Sequence, residues 1–320
     1  MIQPLEISAL GKSFESSAGI YPAVRDFSVK IAAGEFVSIV GHSGCGKSTV
    51  LSIIAGLQQA TTGGVCIDGK EVLEPGTDRG VVFQSPCLLP WLTALGNVAL
   101  AAGQAFPDLS VSQQKEHAQR YLTLVGITEA ANSNPAELSL GTQQRVAIAR
   151  ALALEPRFLL LDEPFGMLDS LTRFELQDVL LQVWEKNRRT VVMVTHDVDE
   201  ALYVSDRILL MTDGPAATLG EVLEVPFARP RQRAEVLEHP AYYRYRSRVI
   251  DFLNRASVNS HERRAVAATP SPPAPLHVGE GGRRPGEGAM ESTTLCIEHP
   301  ENFAVSSRQT EQANEEPVNA

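Results

Sequence analysis

The chain has 320 residues, of which 43% are hydrophobic and 21% charged, and this composition is typical of a globular protein with one large domain or two small ones. Its formal net charge of -10 argues against a general nucleic-acid-binding protein, which needs a basic face, but leaves room for a local basic patch. The cysteines form no Cys-x-x-Cys pair and no secretory start is recognised, so a reducing cytoplasm is the simplest setting. No apolar run has the length of a membrane span.

Short apolar runs rich in Val, Ile, Leu and Phe predict buried strands. They do not alternate with polar residues, so both faces of each strand are expected to be covered. The runs are EFVSIV (35–40), VVF (81–83), RFLLLD (157–162), TVVMVT (190–195) and RILLM (207–211). Helical patterns lie between them, which indicates a parallel sheet in an α/β fold. The segment that ends in SVKI, before Ala-Ala-Gly, instead indicates an antiparallel β edge.

A stretch without convincing strands, from about residue 90 to 134, predicts a helical insertion in this α/β core. Asp108 or Ser110 would cap one of its helices. The apolar residues of that helix are Val111, Ala118, Leu122 and Val125. We divide the chain into a core (1–225) with an inserted helical subdomain (about 90–150), a C-terminal extension (226–255), and a tail (256–320). The tail is rich in Pro, Gly, Ser and Glu, and this composition predicts that it is mostly disordered.

The segment GHSGCGKST (41–49) fits the pattern G-x-x-x-x-G-K-[ST] between a predicted strand and a predicted helix, the context that a phosphate-binding loop requires. Its glycines let backbone N–H groups surround an anion, and the helix N-terminus adds favourable partial charge. Lys47 is expected to reach the β- and γ-phosphates of a nucleotide, Ser48 to bind Mg²⁺, and Thr49 to support the α-phosphate. The residues expected to bind nucleotide here are Gly41, His42, Ser43, Gly44, Cys45, Gly46, Lys47, Ser48 and Thr49. The alternative, a chance glycine-rich turn, is disfavoured by the flanking strand and helix.

Three other strand ends carry polar residues that belong at the same edge of the sheet, where ligands of open α/β sheets bind. Asp162 would hold Mg²⁺ through water, and Glu163 would orient or deprotonate an attacking water. Gln84 would reach Mg²⁺ or that water, and His196 would hydrogen-bond the γ-phosphate. Each of these taken alone is also consistent with an ordinary solvated strand end.

The stretch ELSLGTQQRVAIARAL (137–152) is either a plain Ser-capped helix or a loop that contacts phosphate. Together with the other motifs and their order, it resembles the ATP-binding subunit of ABC transporters over about residues 1–225. That family reads LSGGQ where this chain has LSLGT, so Leu140 and Thr142 depart from the pattern. Ser139 and Gly141 remain, and the resemblance implies that they contact the γ-phosphate of ATP on a second subunit. Leu140 must then point away from the nucleotide.

The resemblance implies further site residues, a cargo class and partners. Phe14, more than Tyr21, would stack on adenine, and Asp169 lies in the MLD segment that the family places at its dimer interface. Segments 165–177, 211–233 and 239–254 resemble importers of nitrate, nitrite and cyanate, to which sulfonate and taurine importers are close relatives. The cofactors would be ATP and Mg²⁺. The partners would be a second ABC ATPase subunit, identical or not, transmembrane permease subunits and, indirectly, a solute-binding protein.

The implied location is the cytoplasmic face of the cell membrane, where the protein would be peripheral. An exposed apolar patch that docks on the permease would be formed by Leu88, Leu89, Pro90 and Trp91. The alternative for these residues is ordinary packing of the helical insertion. The aromatic and basic residues of 226–255 are compatible with nucleic acid, with anionic lipid, or with packing on the core, and the acidic balance of the chain favours packing. No nucleic-acid partner is therefore expected.

Two other classes of protein remain as alternatives. A soluble ABC ATPase acting on DNA or ribosomes usually has a long coiled-coil insertion or two cassettes, and this chain has neither. A P-loop kinase or another nucleotide hydrolase would not carry the signature at 138–142 followed in order by His196.

Overall fold

A computed structural model describes residues 5–17 and 19–267. The strands are, in chain order, β1 (Leu5–Ser16), β2 (Gly19–Ile31), β3 (Phe36–Val40), β4 (Thr62–Ile67), β5 (Lys70–Glu71), β6 (Arg79–Val82), β7 (Phe158–Asp162), β8 (Thr190–Thr195), β9 (Arg207–Met211) and β10 (Leu219–Glu224). The helices are α1 (Lys47–Ile54), α2 (Ala94–Ala105), α3 (Val111–Leu124), α4 (Leu140–Ala153), α5 (Ser170–Asn187), α6 (Val198–Val204), α7 (Arg233–Glu238) and α8 (Tyr242–Ala267). No helix in this described part of the chain is both long enough and apolar enough to cross a membrane.

The main sheet has six strands in the order β10-β9-β3-β8-β7-β6. All neighbours in it are parallel except the antiparallel pair of β9 and β10. The five apolar runs of the sequence all lie in this sheet, which confirms the predicted α/β fold. Because parallel strands end at one edge, the loops after β3, β6, β7 and β8 meet there.

Alternate residues of the central strands face two different core clusters, which explains why the runs are apolar throughout. Leu161 and Met193 belong to the larger cluster, with α4, α5 and α6, whereas Leu160 and Val192 belong to the smaller one, with α1. A second, antiparallel sheet of order β2-β1-β4-β5 supplies the remaining apolar residues of that smaller cluster. The expected antiparallel β edge is thus a separate sheet that covers one side of the main sheet.

The helices α2, α3 and α4 pack together in the region where the sequence predicts a helical insertion. Ser110 is the N-cap of α3 and forms a capping box with Gln113, so Ser110 and not Asp108 begins this helix. Leu122 is fully buried, but Val111 is 68% exposed, contrary to its predicted place on the apolar face. Val111 is the first residue of the helix, so it lies before the part of the helix that packs on the rest of the subdomain.

The extension 226–255 packs on the larger core cluster, to which it contributes Phe227, Val236, Tyr242 and Val249. Its arginines also bind the core, since Arg229 stacks on the Trp184 ring with 4.3 Å from Cζ to the ring centroid. Helix α8 continues to Ala267, which is twelve residues into the segment expected to be mostly disordered. The rest of that expectation, for 268–320, lies outside the described residues.

Candidate nucleotide-binding and hydrolysis site

The loop between β3 and α1 has the backbone of an anion-binding turn. Gly44 and Gly46 have φ angles of 78° and 100°, in the left-handed region where a side chain is strained. A Cβ at Gly46 would also lie 2.7 Å from Val24 Cγ2, so only glycine fits between the loop and β2. The Lys47 ammonium lies inside the loop and donates to the carbonyl oxygens of Gly41 (2.8 Å) and His42 (2.9 Å).

A cavity of about 400 Å³ opens over this loop, within the size range of small-molecule sites. The residues that line it are Phe14, Tyr21, Ala23, Ser43, Gly44, Gly46, Lys47, Ser48, Thr49, Gln84 and Glu163. Most of the residues predicted to bind nucleotide are therefore brought together. Gly41, His42 and Cys45 belong to the loop but face away from this cavity.

Ser48 and Asp162 lie side by side, although 114 residues separate them. The Ser48 hydroxyl donates to Asp162 Oδ1 at 2.8 Å. Burial raises the pKa of the Asp162 carboxyl, and the Ser48 hydrogen bond only partly offsets that effect. A hydroxyl and a partly desolvated carboxylate fit Mg²⁺, which prefers oxygen ligands and keeps several from water and substrate phosphates. The described residues hold no group of three or more His, Cys, Asp or Glu side chains able to bind a metal.

The Glu163 carboxylate contacts side chains at the ends of two neighbouring strands. Gln84 Nε2 donates to Glu163 Oε2 at 3.2 Å, and His196 Nδ1 lies 3.2 Å from the same oxygen. The Glu163 backbone has a φ of 44°, rare for a residue with a side chain, and its N–H donates to Val194 O. Residues held in this strained region cluster at functional sites. The strain and the two partners fix the carboxylate at the cavity.

Two aromatic rings stand at the mouth of the cavity. Phe14 on β1 pairs with Tyr21 on β2, both are partly exposed, and both line the cavity. Lys12 Nζ lies 5.3 Å from the Phe14 ring centroid. Either ring has the geometry to stack on a base, so the preference for Phe14 over Tyr21 remains a prediction.

The signature loop 138–142 lies apart from this cavity, and none of its residues is among the lining. Ser139 caps α4 by accepting from Thr142 N, and its hydroxyl also contacts the Thr142 hydroxyl at 2.9 Å. Leu140 packs against the larger core cluster, the orientation that keeps it away from a ligand at the helix N-terminus. Ser139 is exposed, whereas the other four residues of the loop are half-buried.

Asp169 lies next to the signature loop rather than at the cavity. It caps α5, and the backbone N–H of Thr172 holds the pKa of its carboxyl below the usual range. A Cβ at Gly141 would lie 2.6 Å from Thr172 Cγ2, which shows how closely the two helix starts approach.

The patch proposed for permease docking is smaller than expected. Pro90 and Trp91 are exposed, Trp91 by 74%, but Leu88 and Leu89 are half-buried. Leu88 packs against the larger core cluster. The structure therefore corrects the prediction that all four residues are exposed.

Sequence reasoning missed Ala23 and Asp213. Ala23 lines the cavity from β2, and Asp213 contacts the phosphate-binding loop through His42 at 2.7 Å. The only signal for Asp213 was its place just after the last predicted parallel strand, where the next loop starts at the same sheet edge.

The comparisons with known proteins agree with this geometry. The family model described as ABC transporter matches residues 24–166. The chain is 52% identical over 251 residues to the nitrate import ATP-binding protein NrtD of Synechococcus elongatus, covering 78% of this chain and 92% of that protein. The chain belongs to the family of ABC transporter ATP-binding proteins. It is therefore an ABC ATPase, an enzyme that hydrolyses ATP.

Other relatives of this ABC ATPase are named for nitrate import or for bicarbonate transport. It is 46% identical to the bicarbonate transport ATP-binding protein CmpD of Synechococcus elongatus over 90% of that protein. It is 50% identical to the nitrate import ATP-binding protein NrtC of a Synechocystis strain, of which it spans only 38%. Among solved structures, the ATP-binding cassette MJ0796, a dimer in a post-hydrolysis state with ADP and phosphate, matches with a TM-score of 0.62 and 34% identity. That match covers 70% of this chain and 100% of that one.

Proposed function

We propose that this ABC ATPase energises the import of a small inorganic anion and that the anion is nitrate. The observation that carries the proposal is the 52% identity to a nitrate import ATP-binding protein across 92% of that protein's length. Segments 165–177, 211–233 and 239–254 support it through the resemblance described above. Bicarbonate is the second candidate, because a bicarbonate transport ATP-binding protein is 46% identical over 90% of its length.

The site supports ATP hydrolysis by residues of known position. Loop N–H groups and Lys47 would bind the β- and γ-phosphates, with the Lys47 ammonium leaving the two loop carbonyls it now contacts. Glu163 would accept the proton of the attacking water, while Gln84 and His196 hold its carboxylate in place. Bound Mg²⁺, held by Ser48 and Asp162, would supply positive charge at the phosphates.

The separation of the signature loop from the cavity supports a paired arrangement. Ser139 and Gly141 would reach the γ-phosphate of ATP held by the loop 41–49 of a second subunit. The dimeric state of MJ0796 is consistent with this arrangement. Asp169 would lie at the same interface.

The remaining partners follow from an importer role. Pro90 and Trp91, exposed beside the helical region, would contact the cytoplasmic loops of permease subunits. A solute-binding protein would act on the far side of the permease and would not touch this chain. The protein would then sit at the cytoplasmic face of the cell membrane as a peripheral subunit.

Anion uptake in cells lacking the gene tests this proposal. Nitrate, bicarbonate and sulfonate uptake are measured in parallel, and the cells are complemented with the wild type, Lys47→Ala, or Lys70→Ala. Lys70 is an exposed lysine on β5 and serves as the matched control. We expect nitrate uptake alone to fall, and the wild type and Lys70→Ala alone to restore it. A loss of bicarbonate or sulfonate uptake with nitrate unaffected would overturn the nitrate assignment and leave the ATPase assignment intact.

A further inference from the structure

A side-chain hydrogen bond joins the phosphate-binding loop to the loop after β9. His42 Nδ1 and Asp213 Oδ1 are 2.7 Å apart. The Asp213 side chain is only 13% exposed, and that of His42 is 40% exposed. Because an ionised carboxylate can only accept hydrogen bonds, His42 Nδ1 carries the hydrogen and donates it.

The Asp213 loop is fastened to β2, which carries the aromatic wall of the cavity. Ala216 N donates to Pro22 O at 2.6 Å, and Ala217 N donates to Ala23 O at 3.1 Å. At Gly214, a Cβ would lie 3.1 Å from the Tyr21 hydroxyl. A single loop therefore contacts the wall at Tyr21 and, through Asp213, the phosphate-binding loop.

The position of Asp213 poses an electrostatic problem. A carboxylate beside a loop that binds a triphosphate repels its ligand, and partial burial weakens the screening by water. The charge of Asp213 reaches into the loop, because it helps to raise the pKa of the Cys45 thiol, an effect that comes chiefly from burial. A hydrogen bond donated to Asp213 from the phosphate-binding loop reduces this repulsion where the phosphates bind.

We propose that His42 is a positioning residue for ATP binding, whose hydrogen bond to Asp213 offsets the repulsion between that carboxylate and the phosphates of the nucleotide. His42 does not line the cavity, so its side chain acts through Asp213. Its backbone carbonyl accepts from Lys47 Nζ and from Cys45 N, and a substitution of the side chain leaves this carbonyl in the loop. The inference depends on ATP binding at residues 41–49 and is independent of the cargo.

Nucleotide binding to the purified full chain by calorimetry tests the proposal, with MgATP, MgADP and adenosine as probes. The variants are His42→Ala, Asp213→Asn, the double variant and, as a control for the loss of a remote positive charge, Lys70→Ala. For His42→Ala we expect MgATP affinity to fall about tenfold, MgADP affinity to fall less, and adenosine affinity to stay unchanged, since the repulsion grows with phosphate charge. Asp213→Asn and the double variant are expected within about threefold of the wild type.

The double variant decides between an electrostatic and a purely structural role. A double variant that binds MgATP as weakly as His42→Ala would overturn the proposal, as would an equal loss for adenosine. If His42→Ala does not fold, His42→Leu replaces it, because leucine is closer to histidine in volume and cannot donate to Asp213, and the same rescue by Asp213→Asn is required. A wild type that binds no MgATP would instead contradict the nucleotide site itself, and a failed nitrate assignment would leave this result untouched.

Discussion

His196 Nδ1 lies 3.2 Å from Glu163 Oε2, the carboxylate oxygen that also accepts the Gln84 hydrogen bond. Gln84 and His196, from the ends of two strands, thus meet at one oxygen of Glu163, which lies at the end of a third strand. Glu163 also lines the cavity over the phosphate-binding loop. A carboxylate held in this way is suited to general-base chemistry, which requires the base to be in place before the water reacts.

Replacement of Glu163, the proposed base, is expected to separate ATP binding from hydrolysis. We expect Glu163→Gln to lower the hydrolysis rate by about 10²–10⁴-fold, because the amide cannot accept the proton of the water. The variant should accumulate as an ATP-bound dimer, visible by size-exclusion chromatography with MgATP. Glu71→Gln, on the exposed strand β5, is the control and should behave as wild type. A Glu163→Gln protein that stays monomeric with ATP and hydrolyses at the wild-type rate would contradict the mechanism.

The hydroxyl of Ser48 is expected to set the magnesium requirement. Ser48→Ala removes an oxygen ligand but leaves the loop backbone in place, so the Mg²⁺ concentration for half-maximal hydrolysis should rise by about tenfold or more. Hydrolysis is measured across a magnesium titration at saturating ATP. Ser52→Ala, one turn further along α1, provides the matched control. An unchanged magnesium titration in Ser48→Ala would remove Ser48 from the metal site.

Glu200 makes the stability of the fold depend on pH. Burial raises its pKa from 4.5 to about 7, against opposing hydrogen bonds from Thr195 and Gln177. The folded state therefore binds more protons than the unfolded state between these pH values, and stability falls as the pH rises through that window. The full cost above pH 7 is on the order of 3 kcal/mol.

The variant Glu200→Gln removes this titration. Urea unfolding at pH 5 and pH 8 should show that the wild type loses about 2–3 kcal/mol more than the variant between the two pH values. Glu238→Gln, at an exposed position on α7, should retain the wild-type difference. Equal pH dependence in the wild type and in Glu200→Gln would show that Glu200 keeps an ordinary pKa.

The extension is held to the core by a buried arginine. Arg231 donates to the carbonyl oxygens of Tyr203 (2.8 Å) and Ser205 (2.7 Å) at the end of α6, and burial lowers its pKa to about 9. Arg231→Met leaves these carbonyls without their donor, so the free energy of unfolding should fall by about 3 kcal/mol. The extension should also be cleaved faster in limited proteolysis. Arg255→Met, on the exposed face of α8, should change neither measurement.

The phosphate-binding loop and the catalytic strand ends could be predicted because each depends on a local pattern and one general rule. Asp162 follows a buried run, and the carboxyl ends of parallel strands meet at one edge of the sheet. Its proximity to Ser48 can therefore be predicted without knowledge of how the side chains pack. Val111 was misplaced because a helical pattern does not specify which end of a helix lies against its neighbours. The exposure predicted for Leu88 and Leu89 is wrong because their burial depends on contacts with the helical region that the sequence does not show.

By itself the sequence determined the α/β class, the family, and the place of the phosphate-binding-loop motif, because these follow from strand and helix periodicity and from motifs in a fixed order. Only the tertiary structure placed Asp213 against His42, since 171 positions separate them and no local pattern links the loop after β9 to the loop after β3. The same is true of the oxygen of Glu163 shared by Gln84 and His196. Contacts of this kind depend on the register and twist of the whole sheet, to which many residues contribute a little each.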